Sequence, residues 1–147
     1  MRLWHKDLIS VLPRQHLLAQ WRECCCIIRN IAVNGTPNHL LVNKVLDYPP
    51  LHFMLYTNLV LDEMTKRDYE ISETSYVKMV SNFNKAKDYF NMTNYLYTPT
   101  SIEDIYRDWH NDRYLIQCYY NLEEKYDCGG ISRDEWNIIN NFMEDRL

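Results

Sequence analysis

A chain of 147 residues that is 46% hydrophobic and 24% charged has enough apolar material to close one core, which excludes a disordered or fibrous protein and makes a single domain over residues 1–147 the expectation. No apolar run approaches the roughly 20 residues that cross a bilayer, and "MRLWHKDLIS" breaks its apolar residues with charge where a secretory leader is continuous. A cytoplasmic protein without a membrane partner is therefore expected. The formal net charge of −4 argues against a generic nucleic-acid binder, because Lys and Arg contacts to phosphate dominate affinity for DNA.

In chain order, Ser10 is expected to cap a helix over residues 11–33, with Pro13 in its first turn and Asn34-Gly35 as its stop. At about 100° per residue, Leu17, Leu18, Trp21, Cys24, Cys25, Ile28, Ile31 and Ala32 share its core side. Gln15, Ala19, Arg22, Cys26 and Arg29 fall opposite, with His16 and Glu23 along the same edge. "GTPNHLLVNKVLDYPP" has turn residues at both ends and reads as a connection containing a short helical turn.

Pro49-Pro50 opens a second, buried helix through "LHFMLYTNLVLDEMTKRDYE". A third is predicted near residues 74–90, with Tyr76, Met79, Val80 and Phe83 at helical spacing. Ser101 and Asp104 form a capping-box pattern that predicts one long helix closing on Gly129-Gly130, and Ser132 with Glu135 repeats the pattern for a last helix whose Trp136, Ile139 and Phe142 share a side. No strand alternation or internal repeat is present, so the fold class is all-α, a single-domain helical bundle.

Five cysteines, three of them consecutive at Cys24, Cys25 and Cys26, form no CxxC pair; they read as reduced thiols, and no metal or other cofactor is predicted. Charge is unevenly divided. Residues 1–47 hold six basic side chains (Arg2, Lys6, Arg14, Arg22, Arg29, Lys44) against Asp7, Glu23 and Asp47, a balance of +3 that leaves −7 for the other hundred residues. Such a split fits a basic working surface on an acidic body, although a charge run is commonly a solvated face. Arg22 beside Glu23 is in most helices a solvated pair. His16 reads equally as a structural histidine or a substrate contact, His52 as a core residue or one bordering a pocket, and Arg2 as decoration of a frayed terminus. Trp109, Tyr119, Tyr120 and Trp136 fit core packing better than base stacking.

"QHLLAQWRE", Gln15 to Glu23, resembles the first-helix signature of the pyrimidine-dimer DNA glycosylases of the phage endonuclease-V type, and the likeness continues through "HFMLYTNLVLDEMTKR" and "NLEEKY". The resemblance implies a monomeric base-excision repair enzyme acting on damaged double-stranded DNA, its N-terminal segment threaded between helices so that the α-amine lies beside the first-helix Glu. It implies that the amine of Met1 attacks C1′, that the base leaves, and that the resulting Schiff base permits β-elimination, with Glu23 handling charge and protons. It further implies that Arg22 holds a phosphate, that Gln15 and His16 line the pocket, and that Arg2 and Lys125 contact DNA. Arg29 is expected to compensate for Cys26, which stands where the family has a basic residue.

Three other departures accompany these matches. Met1 replaces a processed threonine, Asn121 replaces an arginine, and the tail "DEWNIINNFMEDRL" is acidic where the family's is aromatic and basic. They leave open two other expectations: a non-catalytic nucleic-acid or protein-binding relative, and an N-glycoside hydrolase acting on nucleosides or nucleotides.

Overall fold

The computed structural model describes residues 2–92 and 98–146, and the regular structure among them is helical throughout, as the sequence predicts. Five α-helices follow one another: α1 (Arg14–Asn34), α2 (Pro50–Lys66), α3 (Glu73–Ala86), α4 (Asp112–Asp127) and α5 (Arg133–Arg146). Short 3-10 turns occupy Lys6–Val11, Val42–Asp47, Lys87–Tyr89 and Ile102–Asp104. No helix among the described residues is long and apolar enough to cross a membrane.

Ser10 does not cap α1. It lies in the 3-10 turn Lys6–Val11, while Pro13 takes the cap position and its carbonyl accepts the N–H groups of His16 and Leu17 at 3.0 and 2.9 Å. The cause is local: the residue before a proline is driven to extended backbone, and Leu12 (φ −62°, ψ 137°) separates the two helical runs. The far end follows the prediction. Gly35 is left-handed at φ 76° and its N–H closes on the Ile31 carbonyl at 2.8 Å; a Cβ there would also stand 3.0 Å from the Tyr89 ring. Pro50 occupies the first turn of α2, where a missing N–H costs nothing. Ser72 caps α3, whose last predicted residues fall instead into the 3-10 turn Lys87–Tyr89.

The long helix expected to be capped by Ser101 starts ten residues later. The predicted box does not form: Ser101 makes no capping hydrogen bond, Asp104 accepts instead from both the N–H and the hydroxyl of Thr100, and a single 3-10 turn follows, after which Ile105 is extended and Tyr106 is left-handed at φ 50°. Tertiary partners take the backbone groups a helix would use. The Tyr106 N–H donates to Nδ1 of buried His52 at 3.1 Å, and the His110 carbonyl accepts from His5 Nε2 at 2.8 Å. α4 therefore starts at Asp112, capped by Asn111, whose side chain accepts the Tyr114 N–H at 2.9 Å. The last capping box forms as predicted: Glu135 accepts the Ser132 N–H at 2.9 Å, and Ser132 accepts that of Glu135 at 3.2 Å.

α1 packs on α2 and α3 through Leu17, Trp21, Cys24, Ile28 and Ile31, joined by Ile27, while Leu18, Cys25 and Ala32 are half-buried at its edge. The five cysteines are free thiols; Cys24 and Cys118 are buried, and burial raises the pKa of both. His52 is a core residue stacked on Tyr106, and Trp109 and Trp136 are likewise buried, whereas Tyr120 is exposed.

The N-terminal segment packs on α2 and α5, and side chains satisfy its extended backbone as a neighbouring strand would. Gln20 of α1, 1% exposed, accepts the Trp4 N–H and donates to the Arg2 carbonyl, each at 2.9 Å. Tyr56 of α2 donates to the Trp4 carbonyl and Tyr114 of α4 to that of Leu3. Lys6 donates its N–H to His110 Nδ1 at 2.9 Å, and an Asp7–Arg146 ion pair ties the segment to α5. Further on, Arg67 of α2 donates to the carbonyls of Leu12 and Ser10 at 2.8 and 3.1 Å.

Two outcomes are expected. Gln20→Leu keeps the volume but strands a buried N–H and a carbonyl, each costing about 1–3 kcal/mol, so thermal unfolding followed by circular dichroism shows Tm falling by roughly 5–10 °C, against little change for exposed Gln15→Ala. The second concerns acid. His5 and His110 accept N–H groups at Nδ1, so each neutral ring carries its proton on Nε2. Burial, the larger cause, and neighbouring positive charge lower both pKa values, that of His110 well below the usual range. Depressed histidines favour the fold fully above the ordinary pKa of about 6.5, and that stability is lost as pH falls below it. Tm should hold between pH 7 and 8 and drop from pH 6.5 to 5; His110→Gln, which can still accept the Lys6 N–H, should flatten the drop.

Candidate functional site

Met1, the expected nucleophile, lies outside the described residues. Its neighbour is firmly placed: the Arg2 carbonyl is held by Gln20, and the Arg2 guanidinium lies 5.3 Å from the centroid of the Trp4 ring. Arg2 also acts on α4, where its charge opposes the burial that raises the pKa of the Tyr114 phenol and the Cys118 thiol.

Trp4 leads directly to α1, its ring meeting that of His16 edge-on at 6.3 Å between centroids. His16 is half-buried, and its Nδ1 has no hydrogen-bond partner among the described residues. Burial first, and then the positive charge of Lys125, lower its pKa, with Glu135 opposing them. Lys125 sits in the last turn of α4, where a cation suits the negative end of the helix dipole. Beside it, Gln15 donates to the Gly130 carbonyl at 3.2 Å, fastening the start of α1 to the turn after α4. The fold thus draws Arg2, Gln15, His16 and Lys125 into one neighbourhood, although they come from three separate stretches of sequence.

Glu23 stands one turn beyond Gln20 and two turns beyond His16 on α1 and is half-buried. Arg22 is exposed, and neither it nor Glu23 makes an ion pair among the described residues, so the two are not a self-neutralised surface pair. Arg29 goes elsewhere. With Cys25, Cys26 and Lys78 it lines a cleft of about 150 Å³ between α1 and α3, and its Cα is about 21 Å along the helix axis from that of Gln15.

Gln20, Trp4, Tyr56 and Tyr114 are the members of this arrangement that the sequence reading passes over. Gln20 had a legible signal, since it is a polar side chain inside the apolar stripe, between Leu17, Trp21 and Cys24. The tyrosines had none, because a phenol that reaches a distant carbonyl looks in sequence like any core aromatic.

The N-terminal segment is thus fastened by polar side chains to α1, with Arg2 and Lys125 near its His16 end and half-buried Glu23 one turn beyond Gln20 on the same helix. Residues 1–77 match the family model described as pyrimidine dimer DNA glycosylase; no curated protein and no solved structure matches. The match spans more than half of the 147 residues and contains Arg2, Gln15, His16, Arg22, Glu23 and Arg29, so the chain belongs to the pyrimidine dimer DNA glycosylase family.

Proposed function

We propose that this chain is a base-excision repair glycosylase with associated lyase activity on damaged double-stranded DNA, using the α-amine of Met1 as nucleophile and Glu23 as its acid/base and electrostatic partner. The observation that carries the reading is the Gln20 clamp. It ties the Arg2 carbonyl to a side chain that stands one helical turn before Glu23 on α1.

In this reading the amine lone pair forms a bond to C1′ as the bond from C1′ to the base breaks, and the departing base takes that electron pair and a proton. Opening of the sugar ring yields a protonated Schiff base. Loss of a C2′ proton then expels the 3′ phosphate with its C3′–O electron pair, which cuts the strand. A carboxylate beside C1′ stabilises the positive charge that develops there and can carry the protons. An α-amine, with an ordinary pKa of about 7.7–8.0, is roughly a tenth unprotonated at pH 7, so the nucleophile requires no metal to activate it. Arg22, Arg2 and Lys125 would hold phosphates around the lesion, Gln15 and His16 would border the pocket, and Arg29, in its separate cleft, would extend the basic face. The reading further takes the enzyme to act as a monomer in the cytoplasm.

A second reading keeps the fold and drops the chemistry, leaving a non-catalytic nucleic-acid or protein-binding relative. It is favoured by Cys26 and Asn121, where cations are lost, and by the acidic α5. An N-glycoside hydrolase of free nucleosides or nucleotides is a third, and would need no long basic footprint.

Borohydride trapping separates them. Untagged protein, incubated with duplexes carrying either a cyclobutane pyrimidine dimer or an abasic site, should form a covalent protein–DNA adduct; on the abasic site its mass is that of protein plus DNA less the one water lost on forming the Schiff base and plus the two hydrogens added by reduction. Glu23→Gln should slow base release by about a hundredfold or more, and a residue added before Met1 should abolish trapping. Absence of an adduct together with an unaffected Glu23→Gln variant would remove the enzymatic reading, and turnover of free nucleosides alone would favour the third.

A further inference from the structure

A cavity of about 330 Å³ opens at the N-terminal end of α4, with Lys44 from the Val42–Asp47 turn and Arg113 from α4 in its walls. Both side chains are exposed, and neither makes an ion pair among the described residues. Asn111 and Gln117 add polar groups. Trp109 forms part of the lining while its buried indole N–H has no hydrogen-bond partner among the described residues.

One carboxylate, Asp108, shares the wall, so the lining sums to a single positive charge from Lys44, Arg113 and Asp108. That balance suits a phosphodiester, which carries one negative charge, better than a phosphate monoester, which carries nearly two. The cavity is also joined to the N-terminal segment. Tyr114 lines it and donates its hydroxyl to the Leu3 carbonyl, next to Arg2.

From Arg113 the i, i+4 row of α4 runs through Gln117 and Asn121 to Lys125, whose charge reaches His16. Twelve residues of helix rise about 18 Å. At about 3.4 Å of duplex axis per phosphate of one strand, that length accompanies roughly five phosphates. The row therefore begins in a two-cation cavity and ends at the candidate site, with Arg2 beside it.

We propose that this cavity is a second DNA-backbone subsite in which Lys44 and Arg113 hold phosphodiester groups of the strand that continues away from the candidate site along α4. It supplies cations at a distance from Cys26 and Asn121, the positions at which the family's pattern is broken. The proposal rests on the DNA reading of the previous section, and its test separates the two.

The test is fluorescence anisotropy with untagged full-length protein and a labelled duplex containing a tetrahydrofuran abasic analogue, which cannot form a Schiff base, titrated between 50 and 200 mM salt. Lys44→Ala/Arg113→Ala should reduce the slope of log K against log salt by about 1.8 and weaken binding roughly tenfold or more at 0.1 M. Lys85→Ala/Lys87→Ala, an equal charge change on the α3 side, should leave the slope unaltered. Thymidine 5′-monophosphate at millimolar concentration should not displace the duplex. Circular dichroism melts check that each variant folds, and the single variants Lys44→Gln and Arg113→Gln, each lowering the slope by about 0.9, replace the double variant if it does not. The subsite is overturned by an unchanged slope in a protein that binds the duplex, by an equal loss in the α3 control, or by competition from the free nucleotide that depends on Lys44 and Arg113. A protein that binds no duplex overturns the subsite and the DNA reading together, whereas trapping that persists beside an unchanged slope overturns the subsite alone.

Discussion

Gln20 is the interaction on which the rest depends. An extended terminal segment inside a helical protein has no strand beside it, so its N–H and C=O groups must find side chains or be buried unpaired. One amide, held rigid within the apolar stripe of α1, supplies both an acceptor and a donor to residues two apart on that segment. Each such bond contributes only about 0.5–1.5 kcal/mol net, but losing it strands a buried polar group at a larger cost. The amide therefore matters as much for excluding other placements of the chain as for stabilising this one. Tyr56 and Tyr114 extend the same logic from α2 and α4, so that three helices determine the path of three residues.

Much of the fold was legible because it is set locally. The apolar stripe of α1, the Gly35 stop, the Pro50 start and the Ser132–Glu135 capping box depend on residues within a turn or two of one another. What was not legible depends on partners far away in sequence. The Ser101–Asp104 pattern starts only a 3-10 turn, in which Asp104 takes the N–H of Thr100 instead, and His52 and His5, more than 50 and 100 residues distant from Tyr106 and His110, claim the backbone groups needed to continue the helix. The candidate site divides in the same way. Spacing along α1 and the family likeness nominate Gln15, His16 and Glu23, but no periodicity shows that Arg2 and Lys125 join them or that Arg29 faces a different cleft.

Net charge misleads in this chain because cations and anions are spent differently. Among the described residues the arginines held in ion pairs are Arg67, Arg107 and Arg146, all outside the candidate site. Arg22, Arg29 and Lys125 make no such pair there. A phosphate backbone responds to unpaired cations within about a Debye length, near 10 Å at 0.1 M salt, so an acidic body can carry a locally basic face.

The acidic tail is best understood from what α5 does in the fold. The family likeness leads one to expect an aromatic, basic tail that meets DNA. Here Trp136 instead stacks between Tyr119 and Tyr126 of α4, at 5.2 and 5.3 Å, and Arg146 pairs with Asp7 of the N-terminal segment. α5 thus buttresses both the helix that carries Lys125 and the segment that carries Arg2. Of its acidic residues, Asp134, Glu144 and Asp145 are exposed, while half-buried Glu135 closes the capping box on Ser132. The C-terminal helix thus adds one ion pair to a segment whose path α1, α2 and α4 already set, and supports α4 through its aromatic side.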